Sequence, residues 1–357
     1  MKKHFLNSRL LTMLTASFLL GLMVFSGCSN KSKTGYMIPD DASIVLSVDL
    51  NSLWKKGDLD NIDQVSIVKY LRKELKSEDP NAAKILDELL EDPNSCGLKL
   101  KGEVVAFQSK TIKSPVCVGF SVKDPGTFED FLKKTSKKFD FDVDIDDKGD
   151  FQFAYSRELS MAACWNKKKA YIISGSEKKT ENDAENLMSL TKQNSMAGNK
   201  DFNKAMKGKG DIHFFFNNGD VLQAMRDENP SYYREMKSVL SPFKDSFSCL
   251  SLGFEKGSIK IVYRILGTDS KQNILKGDVR LSLDLDDYPD AFTKGLKEEI
   301  GKDAEKTIRE LFKGIEFKVK NDYSGEIIIT LKDKSKNSLK VLIDLIDSTS
   351  KDLMRYY

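Results

Sequence analysis

The sequence predicts an α+β protein: strand–helix–hairpin units giving largely antiparallel sheets with helices packed on one face, in two domains. Three observations carry this reading. Short runs of β-branched and aromatic residues recur, each bounded by Gly, Pro, Asn or Asp, as strands are. Several runs follow one another across a few polar residues, a connection that only antiparallel neighbours can use. Between them lie segments whose apolar residues repeat at three and four, the helical period. Removing a 27-residue leader from 357 residues leaves 330, above the ~250–300 at which single cores split into two.

Taken in order, Pro39-Asp40-Asp41 is turn chemistry, and Ser43–Leu50 is a strand after which Asn51 or Ser52 caps the next turn. Val65–Lys76 and Asn81–Glu91 have helical spacing, with Pro80 and Pro93 at their edges. Leu98–Gln108 and Pro115–Val122 read as strands, and Asp124-Pro125 opens a helix carrying Phe128, Phe131 and Leu132. Phe139–Asp146 alternates apolar residues with aspartates, which predicts a strand with one acidic face, beside Phe151–Tyr155. Met161–Trp165 and Ala170–Ser174 form a hairpin, and Thr180–Thr191 is a helix.

The second half opens with the strand Asp211–Asn217, followed by helices at Gly219–Arg226 and Ser231–Leu240. Phe247–Phe254 and Ser258–Leu266 form a hairpin, Asp278–Leu285 is a strand, and Asp290–Phe312 is helical. Ile315–Lys320 pairs with Glu326–Leu331, and a last helix covers 336–353. The openings at Asp41, Asp211 and Asp278 each read as an acid, a strand, a polar turn and a helix. Either degenerate duplication or coincidence between common segments accounts for them.

The chain begins with Lys2, Lys3 and Arg9, then an apolar run, Leu10–Phe25, then Ser26 and Gly27 before Cys28. A basic start, a short apolar centre and small residues describe a secretory signal peptide. The run falls short of the ~20 residues of a spanning helix, and polar residues follow it. The expected layout is a signal peptide at 1–27, a polar tether at 28–35, an N-terminal α+β domain at 36–193, a boundary segment at 194–210 and a C-terminal α+β domain at 211–357.

The whole chain has 57 Lys+Arg against 54 Asp+Glu. The leader holds three bases and no acid, so the remainder is balanced at 54 of each. Nucleic acid is therefore not an expected partner, since it calls for a net basic surface. Cys96, Cys117, Cys164 and Cys249 are widely spaced, three of them inside apolar runs, and read as small buried hydrophobes with disulfides as the alternative. Beyond the leader His213 is the sole histidine, inside a strand pattern. No metal site of the usual His/Cys kind, no phosphate loop and no nucleophile elbow is written in the chain, and no cofactor is expected. Asp142, Asp144 and Asp146 begin like a calcium loop, but Asp147 stands where the turn glycine belongs and Phe153 where the closing Glu belongs. A solvated strand face is the preferred reading. The two tryptophans, Trp54 and Trp165, are a thin supply for sugar platforms.

Phe25-Ser26-Gly27-Cys28 resembles a bacterial lipobox, with Phe25 where Leu is common. The polar spacer, then Tyr36-Met37-Ile38-Pro39-Asp40-Asp41-Ala42 and its strand, and later Asn199–Asn218, resemble a family of uncharacterised Bacteroidota envelope lipoproteins whose folded part opens with a Pro-x-x-Ala strand. That resemblance implies lipidation at Cys28, attachment to a membrane and an α+β fold, and supplies no catalytic residue. It also implies an outer-membrane location facing the periplasm, because Lys31 and Lys33 follow the cysteine where surface-exported members carry acids; the cell surface is the alternative. The expected function is a non-enzymatic binding module for a protein, glycan or lipid ligand. The alternatives are a glycan-directed hydrolase using two carboxylates and a lipid carrier or chaperone with an apolar cleft.

Overall fold

The structure, a computed structural model, describes residues 34–100, 102–206, 210–267, 279–284, 308–321 and 324–353. The leader, the lipobox and most of the tether lie outside these residues. So does most of Asp290–Phe312, whose described part is helical at 308–311 and enters a strand at Phe312. Two compact units result: residues up to Trp54 with Arg72–Lys207, and Lys55–Leu71 with Gly208–Tyr357. Both are α+β with antiparallel sheets. Among the described residues no helix is long and apolar enough to cross a membrane.

The first unit opens on a short turn, Thr34–Met37, in which Thr34 and Gly35 are already buried although their polar neighbours place them in the tether. The Thr34 hydroxyl donates to Glu103, which also accepts from Ser47. Strand β1 (Ala42–Asp49) leads into helix α1 (Leu50–Gly57). The cap there is Asp49, which accepts from Ser52 N at 3.0 Å, rather than Asn51 or Ser52. Helices α2 (Ser66–Glu78) and α3 (Pro80–Glu91) follow. Asp79 accepts from Asn81 N and Ala82 N at the start of α3, with Pro80 in the first turn, where its missing N–H is no loss.

After β2 (Glu103–Ser109) and β3 (Cys117–Ser121), helix α4 (Pro125–Phe139) is capped by Asp124, whose side chain accepts from Thr127 N at 2.6 Å. That bond holds the Asp124 carboxyl below the usual range. The alternating stretch from Phe139 to Asp146 is not one strand. Phe139 ends α4, Asp140 takes the left-handed conformation with φ 52° as its cap, and strand β4 covers only Asp144–Asp147. An aspartate tolerates that conformation better than most residues, so the helix wins the first part of the pattern. Strands β5 (Gln152–Ser156), β6 (Met161–Trp165) and β7 (Lys169–Ser174) complete a sheet ordered β1-β2-β3-β7-β6-β5-β4, antiparallel throughout. The β6–β7 turn forms because Asn166 Oδ1 accepts from Lys168 N and Lys169 N.

Helices cover both faces of this sheet, where one face was expected. Trp165 on one face meets Phe128 of α4 edge-to-face at 5.2 Å. Lys169 points to the other and donates to Leu187 O at 2.7 Å, at the end of helix α5 (Glu177–Met188). Tyr171, on the same face as Lys169, is fully buried and donates to Met37 O at 3.1 Å. Each large apolar side chain buried here contributes about 2 kcal/mol. The 194–210 segment, read as a boundary from its polar residues, is packed into this unit as far as Met206. Met196 N donates to Ile38 O at 2.8 Å, and helix α6 (Lys200–Met206) buries Phe202, Ala205 and Met206.

In the second unit β8 (Ile212–Asn217) runs into α7 (Asn218–Glu228), where Asn217 caps by accepting from Gly219 N and Asp220 N. Helix α8 (Pro230–Leu240) precedes the hairpin β9 (Phe247–Glu255) and β10 (Ser258–Leu266), turned at Gly257 with φ 74°. Strands β11 (Val279–Asp284), β12 (Phe312–Asn321) and β13 (Ser324–Leu331) give the order β8-β9-β10-β13-β12-β11, again antiparallel. Helix α9 (Ser338–Leu353) packs on β9 and β10. Asp211, 2% exposed at its side chain, accepts from Lys56 Nζ at 2.7 Å and from Phe254 N at 2.7 Å, so within this unit the start of β8 is tied to Lys56 and to β9.

Candidate functional site

Direct partners on neighbouring strands project to the same side of a sheet. In the second unit this rule gathers three rows of uncharged side chains on one side, while the other side holds charged residues together with the buried Phe215, Cys249, Val262 and Leu266. One row crosses all six strands as Ile212, Leu252, Ile261, Ile327, Phe317 and Leu281. On one side of it runs Phe254, Ile259, Ile329, Ile315 and Leu283, and on the other Phe214, Leu250, Tyr263, Gly325 and Val319. No charged residue stands in these three rows.

The opposite side of the same strands carries His213, Ser251, Val262, Glu326, Lys318 and Arg280 in register, with Lys260, Arg264 and Glu316 beside them. Its charges pair with one another: Lys260 lies 3.4 Å from Glu326 and Lys318 3.0 Å from Glu316.

The apolar side is unevenly covered. Phe254 and Ile259, at one edge of the rows, are 7% and 6% exposed, whereas Phe214, Leu250 and Leu281 are 37%, 42% and 54% exposed. These three are among only seven large hydrophobic side chains exposed in the described residues, and Phe214 and Leu250 are direct partners. Isolated exposed leucines are ordinary, but a contiguous apolar patch marks a place where something binds. A separate concavity of about 210 Å³ lies between α7 and α8, lined by Leu222, Gln223, Arg226, Tyr233 and Lys244. Ser241 and Asp245 also line it, and the lining mixes both charges with apolar residues.

The residues singled out from sequence fall elsewhere. Cys28 and its Phe25-Ser26-Gly27 leader end lie outside the described residues. Asp142, Asp144 and Asp146 are exposed, and Asp146 is 3.3 Å from Lys148. Among the described residues no three His, Cys, Asp or Glu side chains come together as metal ligands would. Asp144 and Asp146 instead lie on β4, the last strand of the first sheet, where charge discourages edge-to-edge pairing. His213 is 2% exposed, its Nδ1 2.9 Å from Ser251 Oγ inside the sheet. Trp54 and Trp165 are both buried.

Cys96, Cys117, Cys164 and Cys249 are buried free thiols. Burial pushes all four up, Cys164 to about 12, and pulls the amine of neighbouring Lys169 down to about 8. A thiolate is the reactive form, so the folded chain carrying Cys28→Ser is expected to react negligibly with Ellman's reagent. Four equivalents are then released in denaturant. Rapid release from native protein would contradict the burial.

The described residues define an α+β architecture of antiparallel sheets with helices. The chain belongs to the family described as Domain of unknown function (DUF4836), whose model matches residues 35–278. That range contains β8, β9 and β10 of the apolar face. No curated protein matches the sequence. Among solved structures, crystal forms I and III of TP0453 are similar at TM-scores of 0.35 and 0.36. Each is 13% identical, over 88% of this chain and 96% and 97% of the other.

Proposed function

We propose that the protein is a lipid-anchored lipoprotein of a bacterial envelope, held at the outer membrane facing the periplasm, and that its folded part is a binding module. The observation that carries the binding reading is the uncharged, partly exposed side of the second unit's sheet. Phe214 and Leu250, direct partners on β8 and β9 and both exposed, cost solubility unless they meet an apolar partner. The anchor reading rests on Lys2, Lys3 and Arg9, the apolar run and Phe25-Ser26-Gly27-Cys28. One acyl chain holds a protein marginally, and two or more hold it stably.

The anchor is tested by Cys28→Ser in cells fed labelled palmitate. The variant is expected to leave the membrane pellet for the soluble fraction and to incorporate no label. A variant that still sediments with membranes and is still labelled would refute the anchor. Protease added to intact cells is expected to leave the wild-type protein whole; digestion would place it on the cell surface instead.

A further inference from the structure

We propose that the outer surface of the Thr34–Met37 turn, with the neighbouring 191–204 segment, rests on the head groups of an anionic phospholipid bilayer. The inference deepens the anchor reading above and rests on it. The fold fixes where the tether stops. A Cβ on Gly35 would lie 2.7 Å from Ala197 N and 2.8 Å from Ala197 Cα, so the turn packs backbone to backbone on Met196–Gly198. The Thr34 hydroxyl donates to Glu103, and Met196 N donates to Ile38 O at 2.8 Å. The chain is held to the first unit from Thr34 onward, and only residues 28–33 separate the acylated sulfur from it. That stretch reaches about 20 Å when fully extended. The head-group layer it crosses is itself about 5–8 Å deep.

The chemistry of this surface suits a bilayer. Tyr36 stands between the buried Gly35 and Met37 and is 42% exposed. A tyrosine, apolar in body and polar at its tip, belongs at the boundary of lipid and water. Residues 31–40 and 191–204 hold Lys31, Lys33, Lys192, Lys200 and Lys204 against Asp40 and Asp201. Lys192, Lys200 and Lys204 are exposed, while the same helix as the last two buries Phe202, Ala205 and Met206. The 191–194 loop is joined to the turn, since Asp40 N donates to Asn194 O at 3.3 Å. Each lysine near an anionic surface strengthens binding about fivefold. A short tether holds the surface at an effective concentration of about a millimolar. Contacts too weak to capture a free protein therefore count here. A protein partner seated on this surface would have to fit into the same gap of about 20 Å.

The test supplies the attachment chemically. The chain from Cys28 to Tyr357 is coupled through the Cys28 thiol to a maleimide lipid in vesicles of phosphatidylcholine and phosphatidylglycerol. Cys96, Cys117, Cys164 and Cys249 are buried and do not compete. Brominated phosphatidylcholine in the same vesicles quenches only a tryptophan close to the bilayer. Trp54 and Trp165 are buried and give the baseline. Tyr36→Trp is expected to lose about half of its added emission, the engaged fraction where the effective concentration matches the dissociation constant. Asp130→Trp is the control. Asp130 is exposed on α4, which packs on the Trp165 side of the first sheet, whereas the turn meets the Tyr171 side. Its emission is expected to stay unchanged.

Adding Lys192→Glu and Lys200→Glu to Tyr36→Trp is expected to remove most of the quenching, as is omission of phosphatidylglycerol. All four positions are exposed, so circular dichroism and melting temperature should hold. Three results would overturn the proposal: no quenching of Tyr36→Trp, equal quenching of Asp130→Trp, or quenching indifferent to the lysines and to phosphatidylglycerol. Because the attachment is made chemically, the two readings fail separately. Absence of palmitate on Cys28 in cells refutes the anchor, and absence of quenching refutes the surface contact alone.

Discussion

Gly97→Ala is expected to destabilise the first unit by about 3–5 kcal/mol, the range of the severe single substitutions. Gly97 has φ 77°, a conformation that an L side chain enters at a cost of about 1 kcal/mol. Space adds the rest. A Cβ there would lie against the amide nitrogen of Phe128 and 2.5 Å from the Asp124 carbonyl oxygen, both backbone atoms at the start of α4. The Gly97 carbonyl meanwhile accepts from Lys123 N and Asp124 N at 2.9 and 3.0 Å, so the turn and the helix are held together. Moving α4 away would uncouple Phe128 from Trp165. Gly149→Ala supplies the control, because Gly149 has φ 82° with nothing within 4 Å of its would-be Cβ. It is expected to cost only the conformational part, about 1 kcal/mol. Urea denaturation of both variants checks the pair, and equal losses would remove the steric argument.

Asp183→Ala is the second large effect, expected at about 3 kcal/mol or more. Asp183 is 2% exposed on α5 and accepts from Lys113 N at 3.1 Å, Ser114 N at 2.9 Å and Ser114 Oγ at 2.6 Å. Removal leaves two backbone donors and a hydroxyl facing a space that water reaches poorly, and each unsatisfied buried donor costs about 1–3 kcal/mol. Asp183→Asn keeps one carbonyl oxygen and is expected to lose about half as much, while Ser114→Ala loses about 1 kcal/mol. Chemical denaturation followed by tryptophan fluorescence reports the loss, since Trp165 is buried in the same unit. A change below 1 kcal/mol for the alanine variant would show that the carboxylate does not hold the 113–114 loop.

The elements were legible where local chemistry agrees with the period. Asp79-Pro80 and Asp124-Pro125 announce helix starts and the structure places caps there. The hairpins at Asn166 and Gly257 follow from an Asx turn and a left-handed glycine. The reading failed at Phe139–Asp146, where strict alternation says strand but Asp140 closes a helix that begins at Pro125. Period two over eight residues is weaker than a capped helix already four turns long. The period also hides how 194–206 packs, because Met196, Phe202 and Met206 are too few to form a pattern yet enough to bury a segment.

The candidate site was half legible. Alternation in Ile212-His213-Phe214 and in Ile259 to Ile265 shows that each strand has an apolar side. Which sides coincide depends on register between strands far apart in sequence, such as Ile261 with Ile327 and Phe317 with Leu281. A slip of one residue would exchange Ile327 for Glu326 and scatter the charges across both sides. Only the fold supplies that register, and with it the separation of Lys260, Glu326 and Lys318 from the uncharged rows. The proposed anchor is the reverse case: Phe25-Ser26-Gly27-Cys28 rests wholly on sequence.

The intact mass of the chain extracted from native envelopes bears on that anchor most directly. It is expected to correspond to residues 28–357 plus a diacylglyceryl group and one further acyl chain. The mass of an unmodified polypeptide, or of a chain beginning anywhere other than Cys28, would contradict it.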